Sequence, residues 1–405
     1  MFFRGIINLS DEIKYETFLF PVLLFLLFIL ARCAYVSLAK SSSADKYYLL
    51  AFTYRSALLA IILILAYLNI VLPYAVYDDE TYSLGAAGYI NNYEGGNLYS
   101  EIIKIIYYIF GNNSINGRFF NIFLASISVY PLYNILINIL KSEKAINAAI
   151  IAYIFLPYDA FWSVFEVKDI LLLCIMIFYI DIILNIEKMI SSNKKKALII
   201  LYLILILLFG ILAEGIRRGT FFLMSLGAFL NISIKVSSRR KVLIITILVL
   251  CLFLWLVFGL NNITVSPVAK YRLYQYWIKT QIGQGSIYNW FLITEPSNIW
   301  KLPFTILAYI MSPFPTIRKM NLGYPFFLSF GSVLKIFSIP CLLLGMIKIR
   351  ILLERIRFAF LVLFIPLLIV SMWNFTNFRQ GIAYLWIFVI SYGAFIESWK
   401  VKIKT

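Results

Sequence analysis

Long apolar runs recur along nearly the whole chain, and polar residues are confined to the stretches between them. A hydrocarbon core of about 30 Å needs roughly 20 apolar residues in helical form, and eleven runs approach that length. The predicted spanning helices are residues 18–38, 54–76, 119–140, 145–164, 170–190, 197–213, 220–234, 242–260, 326–347, 358–372 and 382–396. A further run, 303–315, is too short to span and is interrupted by prolines, which predicts a re-entrant or interfacial segment. The pattern predicts an all-α fold, a polytopic transmembrane helical bundle of about eleven helices that forms one domain over residues 1–405.

Composition agrees with this interpretation. Hydrophobic residues make up 62% of the chain and charged residues 14%, whereas apolar residues are about half of a soluble domain. The chain has no histidine, so acid–base chemistry would depend on carboxylates, Lys or Tyr. Its four cysteines lack the paired spacing of a zinc site or a disulfide framework and are predicted to be packing residues.

The net charge of +17 predicts topology rather than nucleic-acid binding, because basic and acidic stretches alternate between the predicted spans. If the acidic residues after position 76 face outside, the clusters of Lys and Arg face inside, as the positive-inside rule requires. The predicted inside-facing residues are Lys40, Lys46, Arg55, Lys141, Lys144, 194–196, 239–241, 348–357 and 400–404. The predicted outside-facing acidic residues are Asp78, Asp79, Glu80, Glu94, Glu101, Glu166, Asp169, Glu214 and Glu295. We expect an integral protein of the bacterial cytoplasmic membrane with its active site facing outside.

Two of the predicted external loops are long, 77–117 and 261–302. The first contains residues 102–110, whose apolar and aromatic content suits a helix that lies in the membrane interface. The second places several Tyr and Trp residues beside Lys270, Arg272 and Lys279, a combination that suits sugar rings and pyrophosphates. Simple anchoring of the aromatic residues at the interface is the alternative.

Three consecutive carboxylates, Asp78, Asp79 and Glu80, follow directly on the apolar run 54–76. This position predicts a bilayer surface, where carboxylates stay hydrated and available for chemistry. Together with Tyr82 they are the groups that a general base or a divalent-cation site uses. The alternative is that they form only the hydrated end of a helix.

Short motifs follow this acidic cluster in a recognisable order. Behind Tyr82 come the small residues 85–88, and the later motifs are Gly117-Arg118-Phe119-Phe120, Leu156-Pro157, Phe161-Trp162-Ser163 and Val167-Lys168-Asp169-Ile170-Leu171-Leu172. In this order they resemble the signature of the GT-C glycosyltransferase superfamily, whose members are multispan enzymes. The resemblance covers residues 54–184, within a predicted GT-C-like core module of residues 54–190.

The resemblance implies transfer of a sugar from a polyprenyl phosphate or polyprenyl pyrophosphate donor, at the outer face, to a hydroxyl of a saccharide or lipid-linked acceptor. It implies a base or metal-linked carboxylate at Asp78 or Asp79, without deciding between them, with Glu80 beside them. Tyr82 and Arg118 match motif positions and are candidate substrate ligands.

A second half-site is predicted at the start of the helix 170–190. Glu166, Lys168 and Asp169 would face Asp78 and Asp79 there, with Asp169 as a further catalytic candidate and Glu166 and Lys168 as substrate ligands. Asp78 and Asp169 are the candidate ligands of a divalent cation, Mg²⁺ or Mn²⁺. The alternative is capping, since acidic residues also stabilise a helix N-terminus through its dipole.

Cations on the predicted outer side are candidate phosphate ligands. Glu214, Arg217 and Arg218 form a charged turn between two apolar runs, and arginines there run against the positive-inside rule, which favours a bound pyrophosphate. A local Glu–Arg pair is the alternative. Arg379 precedes the last predicted helix, where the GT-C family often places an Arg, and Lys335 lies about ten residues inside a predicted span, where ionisable groups tend to be functional unless they snorkel to the surface.

Three functions remain open at this stage. A GT-C-like membrane glycosyltransferase in cell-surface polysaccharide or glycoconjugate synthesis accounts for the ordered motifs. A Wzy-type polymerase of oligosaccharide repeat units shares the carrier lipid and the external arginines. A transporter of lipid or polysaccharide without chemistry is disfavoured, because no internal repeat with broken helices is evident.

Overall fold

The computed structural model describes residues 29, 43–71, 77–88, 97–191, 196–217, 220–221, 224, 300–301 and 385–403. This part of the chain is mainly helical and contains no strand. Its helices are α1 (Ser43–Tyr67), α2 (Tyr77–Ala86), α3 (Asn97–Phe110), α4 (Ser114–Ile127), α5 (Val129–Ile139), α6 (Glu143–Phe155), α7 (Pro157–Trp162), α8 (Lys168–Ser191), α9 (Lys196–Ile216) and α10 (Leu385–Ile403). The predicted all-α class is confirmed for these residues.

Three helical segments are long and apolar enough to cross a membrane, Ala44–Tyr67, Ser114–Ile139 and Lys168–Ile186. By the length and composition of these helices the chain is a membrane protein. The second and third segments are largely buried among other helices, whereas α1 exposes most of its apolar surface. The predicted spans 18–38, 220–234, 242–260, 326–347 and 358–372, and the segment 303–315, lie outside the described residues apart from isolated positions.

The prediction of one continuous helix over residues 145–164 is wrong, because a proline divides this segment into two helices. α6 ends at Phe155, and Pro157 is the first residue of the short α7. Proline disfavours helical geometry in the residue before it and is well suited to the first position of a new helix. The aromatic segment 161–163 is therefore turned out of line with α6 instead of continuing it.

The predicted helix 119–140 is also divided, at Ser128, although α4 and α5 together still form one membrane-length segment. The Ser128 hydroxyl donates to the carbonyl of Leu124 at 2.7 Å, a bond that commonly bends a helix. Pro131 follows three residues later and lacks the N–H that an unbroken helix would use.

α1 begins at Ser43 and ends at Tyr67, earlier at both ends than the predicted helix 54–76. Asn69 has a left-handed backbone with φ of +57°, and the N–H of Ile70 donates to the carbonyl of Leu65 at 2.9 Å. This is a Schellman motif, in which Asn is one of the few residues that accept the left-handed position.

The helices bring chemically different residues to the two ends of the bundle. One end, here called the acidic end, consists of α2, α3, the start of α4, residues 163–169 and the end of α9. The opposite end, here called the basic end, carries Lys141 and Lys144, and Glu397 of α10 accepts the Lys141 N–H there at 3.1 Å. α8 packs on α4, α5 and α9, and α1 packs on α4, α5 and α6. The central helices thereby fix the relative positions of residues at the acidic end.

Candidate functional site at the acidic end

α3 is an amphipathic helix that packs on α2, α4 and α9. Tyr99, Ile103 and Tyr107 are buried on one side, whereas Ile105 and Tyr108 are exposed on the other, Tyr108 to 91%. The residues 102–110 are helical, as an interfacial helix requires. The two tyrosines on the buried side, Tyr99 and Tyr107, contact α2, α4 and the segment before α8.

The acidic cluster lies in the first turn of α2 rather than in a loop. The side chains of Asp78, Asp79 and Glu80 are outside the described part of the structure, so the prediction that one of them is the base stays a prediction. Tyr82, a predicted substrate ligand, is 1% exposed and meets the ring of Tyr99 edge-on, with centroids 4.9 Å apart. In this structure Tyr82 fastens α2 to α3.

Glu166 is the most enclosed carboxylate of the acidic end. It precedes α8, is fully buried, and accepts a hydrogen bond from the Tyr107 hydroxyl at 2.7 Å. Ser83 of α2 lies 3.1 Å from the same hydroxyl. A Cβ atom added at Gly117 of α4 would lie 1.8 Å from Glu166 Oε1, so the carboxylate rests directly against the α4 backbone and a larger residue there would force Glu166 to move.

Asn121 of α4 fixes the backbone around Glu166. Its amide donates to the carbonyl of Phe165 and, at 3.1 Å, to that of Val167, the residues on either side of Glu166. Its own carbonyl oxygen accepts the Tyr99 hydroxyl at 3.2 Å. All these groups are buried, where an unsatisfied polar atom is costly, so the network holds the segment before α8 in one conformation.

Asp169 and Arg217 form an ion pair between the start of α8 and the end of α9. The distance from Arg217 Nη2 to Asp169 Oδ1 is 2.6 Å, with side chains 14% and 1% exposed. Glu214 accepts the backbone N–H of Phe221 at 2.9 Å. Arg217 is therefore paired with a carboxylate of another helix, Asp169.

Arg118 and Lys168 are also at the acidic end. Arg118, in α4, is 1% exposed, and its guanidinium lies over the Phe165 ring at 5.1 Å from the centroid. Lys168 is the first residue of α8 and is partly buried. Glu166, Lys168 and Asp169 thus lie next to Arg118 and Arg217 at this end, whereas the prediction that they face Asp78 and Asp79 stays a prediction.

Several predicted site residues are outside the described part of the chain, namely Arg218, Arg272, Lys335 and Arg379. The described residues contain no group of three His, Cys, Asp or Glu side chains placed to hold a metal ion. Asp169 faces a guanidinium, and the Asp78 side chain is outside the described residues, so the Mg²⁺ or Mn²⁺ site stays a prediction.

The prediction that Arg55 is one of the inside-facing basic residues is wrong. It lies midway along α1, is 1% exposed, and donates through Nε to the Ser163 hydroxyl at 3.1 Å. Its guanidinium carbon is 5.4 Å from the centre of the Tyr153 ring. The signal that could have identified it is its place as the only charge in an apolar run, since such residues are seldom tolerated without a specific partner.

The site is thus a buried carboxylate that accepts a hydrogen bond from Tyr107 of α3 and lies against the backbone of α4, with an arginine–aspartate pair on the adjoining helix ends. Groups of both charges in a desolvated setting can hold an anionic ligand or move a proton more effectively than the same groups in water. No protein-family model, curated protein or solved structure matches the chain. The functional argument therefore rests on the residues themselves.

Proposed function

We propose that this protein is a GT-C-like membrane glycosyltransferase that transfers a sugar from a polyprenyl-linked phosphate donor to an acceptor hydroxyl. In this proposal the acidic end faces the outside of the bacterial cytoplasmic membrane, and the undescribed apolar runs complete a bundle of about eleven helices. One observation carries the proposal. The acidic helix α2 is joined to the buried Glu166 through Ser83 and Tyr107, and the Asp169–Arg217 pair lies beside that junction.

The chemistry of glycosyl transfer needs two kinds of group that this end of the chain offers. In the transfer step, a bond forms between the acceptor oxygen and the anomeric carbon of the donor sugar, and the bond from that carbon to the phosphate oxygen breaks. The acceptor proton goes to a carboxylate, for which Asp78 or Asp79 of α2 is the candidate. A divalent cation bound by Asp78 and Asp169 would assist by lowering the pKa of the hydroxyl.

The leaving phosphate gains negative charge in the transition state, and cations that are already in position lower the barrier. Arg217 is the best-placed described candidate, because Asp169 holds one of its nitrogens while 14% of its side chain remains accessible. A guanidinium has further N–H groups that can face a phosphate oxygen. Arg218, Arg272, Lys335 and Arg379 are proposed as additional phosphate contacts.

The test uses purified protein in liposomes. The liposomes also contain polyprenyl-linked saccharides, which are extracted from the membranes of bacteria grown on radiolabelled glucose and N-acetylglucosamine. Transfer of label out of the polyprenyl fraction is measured for the parent, Asp78→Asn, Asp79→Asn and the double variant. Glu101→Gln is the matched control, since Glu101 is an exposed carboxylate paired with Lys104 on α3. We expect transfer to fall at least tenfold in one single variant and in the double variant, but not in the control.

Equal transfer by the parent and the double variant, at equal protein, would refute the assignment of the base to α2. No transfer by the parent above protein-free liposomes would count against the glycosyltransferase proposal. A ladder of products rather than a single one would favour the polymerase of repeat units.

A further inference from the structure

Tyr107 is the residue through which the acidic helix reaches Glu166, although no sequence motif marks it. Its ring is buried on the inner side of α3, and its hydroxyl lies between Ser83 and Glu166, 3.1 Å and 2.7 Å away. The neighbouring Tyr108 points the other way and is 91% exposed. Two adjacent tyrosines therefore have opposite environments.

The direction of these bonds follows from the chemistry of the phenol. A tyrosine hydroxyl has one hydrogen, and Tyr107 donates it to Glu166 Oε1. The Ser83 hydroxyl must then be the donor to the Tyr107 oxygen. The result is a directed chain of hydrogen bonds from α2 through α3 to the carboxylate, in which each bond polarises the next.

The packing of α2 makes this chain important. In the described residues α2 packs mainly on α3. The Tyr82–Tyr99 ring pair and the Ser83–Tyr107 hydrogen bond both connect the two helices. The ring pair tolerates sliding of one helix along the other, because aromatic contacts accept a range of offsets. The hydrogen bond is directional and fixes the register.

We propose that Tyr107 is a positioning residue that sets the register of α2, and with it the acidic cluster, against the segment that carries Glu166 and Asp169. Its hydroxyl contacts Ser83 of α2 on one side and the Glu166 carboxylate on the other, and it takes no part in the reaction itself. The effect of this register on catalysis rests on the proposed glycosyl transfer. The position of α2 does not depend on that function, so the register and the enzyme activity can be tested separately.

The register is measured by pulsed electron–electron distance measurements between spin labels. The labels are attached at Ala87→Cys, just after α2, and at Asn112→Cys, in the exposed turn before α4, with the four native cysteines replaced by alanine. Tyr107→Phe removes the hydroxyl and keeps the ring, and Tyr108→Phe makes the same change on the exposed side. We expect Tyr107→Phe to broaden or shift the distance distribution and Tyr108→Phe to leave it as in the parent. An unchanged distribution in Tyr107→Phe would overturn the proposal, whatever the activity of the protein.

The second measurement is the transfer assay on the same variants. We expect Tyr107→Phe to lower kcat about tenfold with little change in KM for the lipid-linked donor, since a misplaced base slows the reaction without weakening donor binding. Tyr107→Phe should have little further effect in a Ser83→Ala background, because the hydrogen bond from Tyr107 to α2 is already absent there. Additive losses, or a rise in KM at unchanged kcat, would contradict a positioning role. A parent without transferase activity, together with a shifted distance in Tyr107→Phe, would leave the register proposal standing and count against the enzyme alone.

Discussion

Gly117→Ala should be among the most damaging small substitutions in the described part of the chain. The added Cβ would lie 1.8 Å from Glu166 Oε1, 2.6 Å from its Cδ and 2.9 Å from its Cγ. Carbon and oxygen cannot approach so closely, so the Glu166 side chain must move. Glu166 has no solvent to move into, since it is fully buried, and Asn121 holds the carbonyls on both sides of it.

The size of the effect follows from three terms. Overpacking a buried site costs about 1–3 kcal/mol, and loss of the Tyr107 hydrogen bond to a charged group costs about 1.5–3 kcal/mol. Replacing glycine by alanine in a helix returns about 1 kcal/mol. We therefore expect Gly117→Ala to lower the free energy of unfolding by roughly 1.5–5 kcal/mol.

The assay is thermal unfolding of the purified protein in mild detergent, followed by the fluorescence of its eight tryptophans. Gly85→Ala is the matched control, because Gly85 is in α2 and a Cβ there meets no atom within 4 Å. We expect the control to unfold at the same temperature as the parent or slightly higher.

A second background tests the cause. In Glu166→Ala the atoms that clash with the new Cβ are absent, so adding Gly117→Ala to that variant should be neutral or mildly stabilising. If Gly117→Ala lowers the unfolding temperature equally in both backgrounds, the close approach of α4 to Glu166 is not the reason for the loss.

Three further predictions concern other contacts of the bundle. Asp169→Asn and Arg217→Gln should each lower the free energy of unfolding by about 1–3 kcal/mol, less than for a fully buried pair because Arg217 is partly exposed. The exchanged pair, Asp169→Arg with Arg217→Asp, should recover part of the thermal stability. No recovery would mean that the direct ion pair is not the stabilising interaction. Arg55→Met should destabilise the bundle by about 2–4 kcal/mol in the same unfolding assay, since it leaves the Ser163 hydroxyl and the Tyr153 carbonyl without their charged donor. Arg55→Lys should retain only part of the stability of the parent protein. A fully stable Arg55→Met would show that these contacts are dispensable. Cysteines at the exposed positions Glu101 and Asn112 should react with a membrane-impermeant thiol reagent in intact cells and a cysteine at Lys144 should not; labelling at position 144 alone would reverse the proposed orientation.

The sequence was sufficient to predict the class of the fold, because each apolar run must bury its backbone polar groups in helical hydrogen bonds within a membrane. It also predicted the grouping of Glu166, Lys168 and Asp169 near the start of one helix, which is a local property of the chain. Helix ends were less predictable. Pro157 explains the division of α6 from α7, but the early end of α1 depends on the left-handed backbone of Asn69, which hydrophobicity does not encode.

Only the tertiary structure decided which polar groups meet. Tyr107 and Glu166 are 59 residues apart in the chain, and Asp169 and Arg217 are 48 apart, so no local periodicity relates them. Arg55 shows the same limit, because a charge near the start of an apolar run is equally consistent with an inner-surface anchor and with a buried donor. The packing of α1 against α6 and α7 makes Arg55 a buried donor. A guanidinium inside a membrane bundle is stable only where hydroxyl, carbonyl and aromatic groups from other helices surround it.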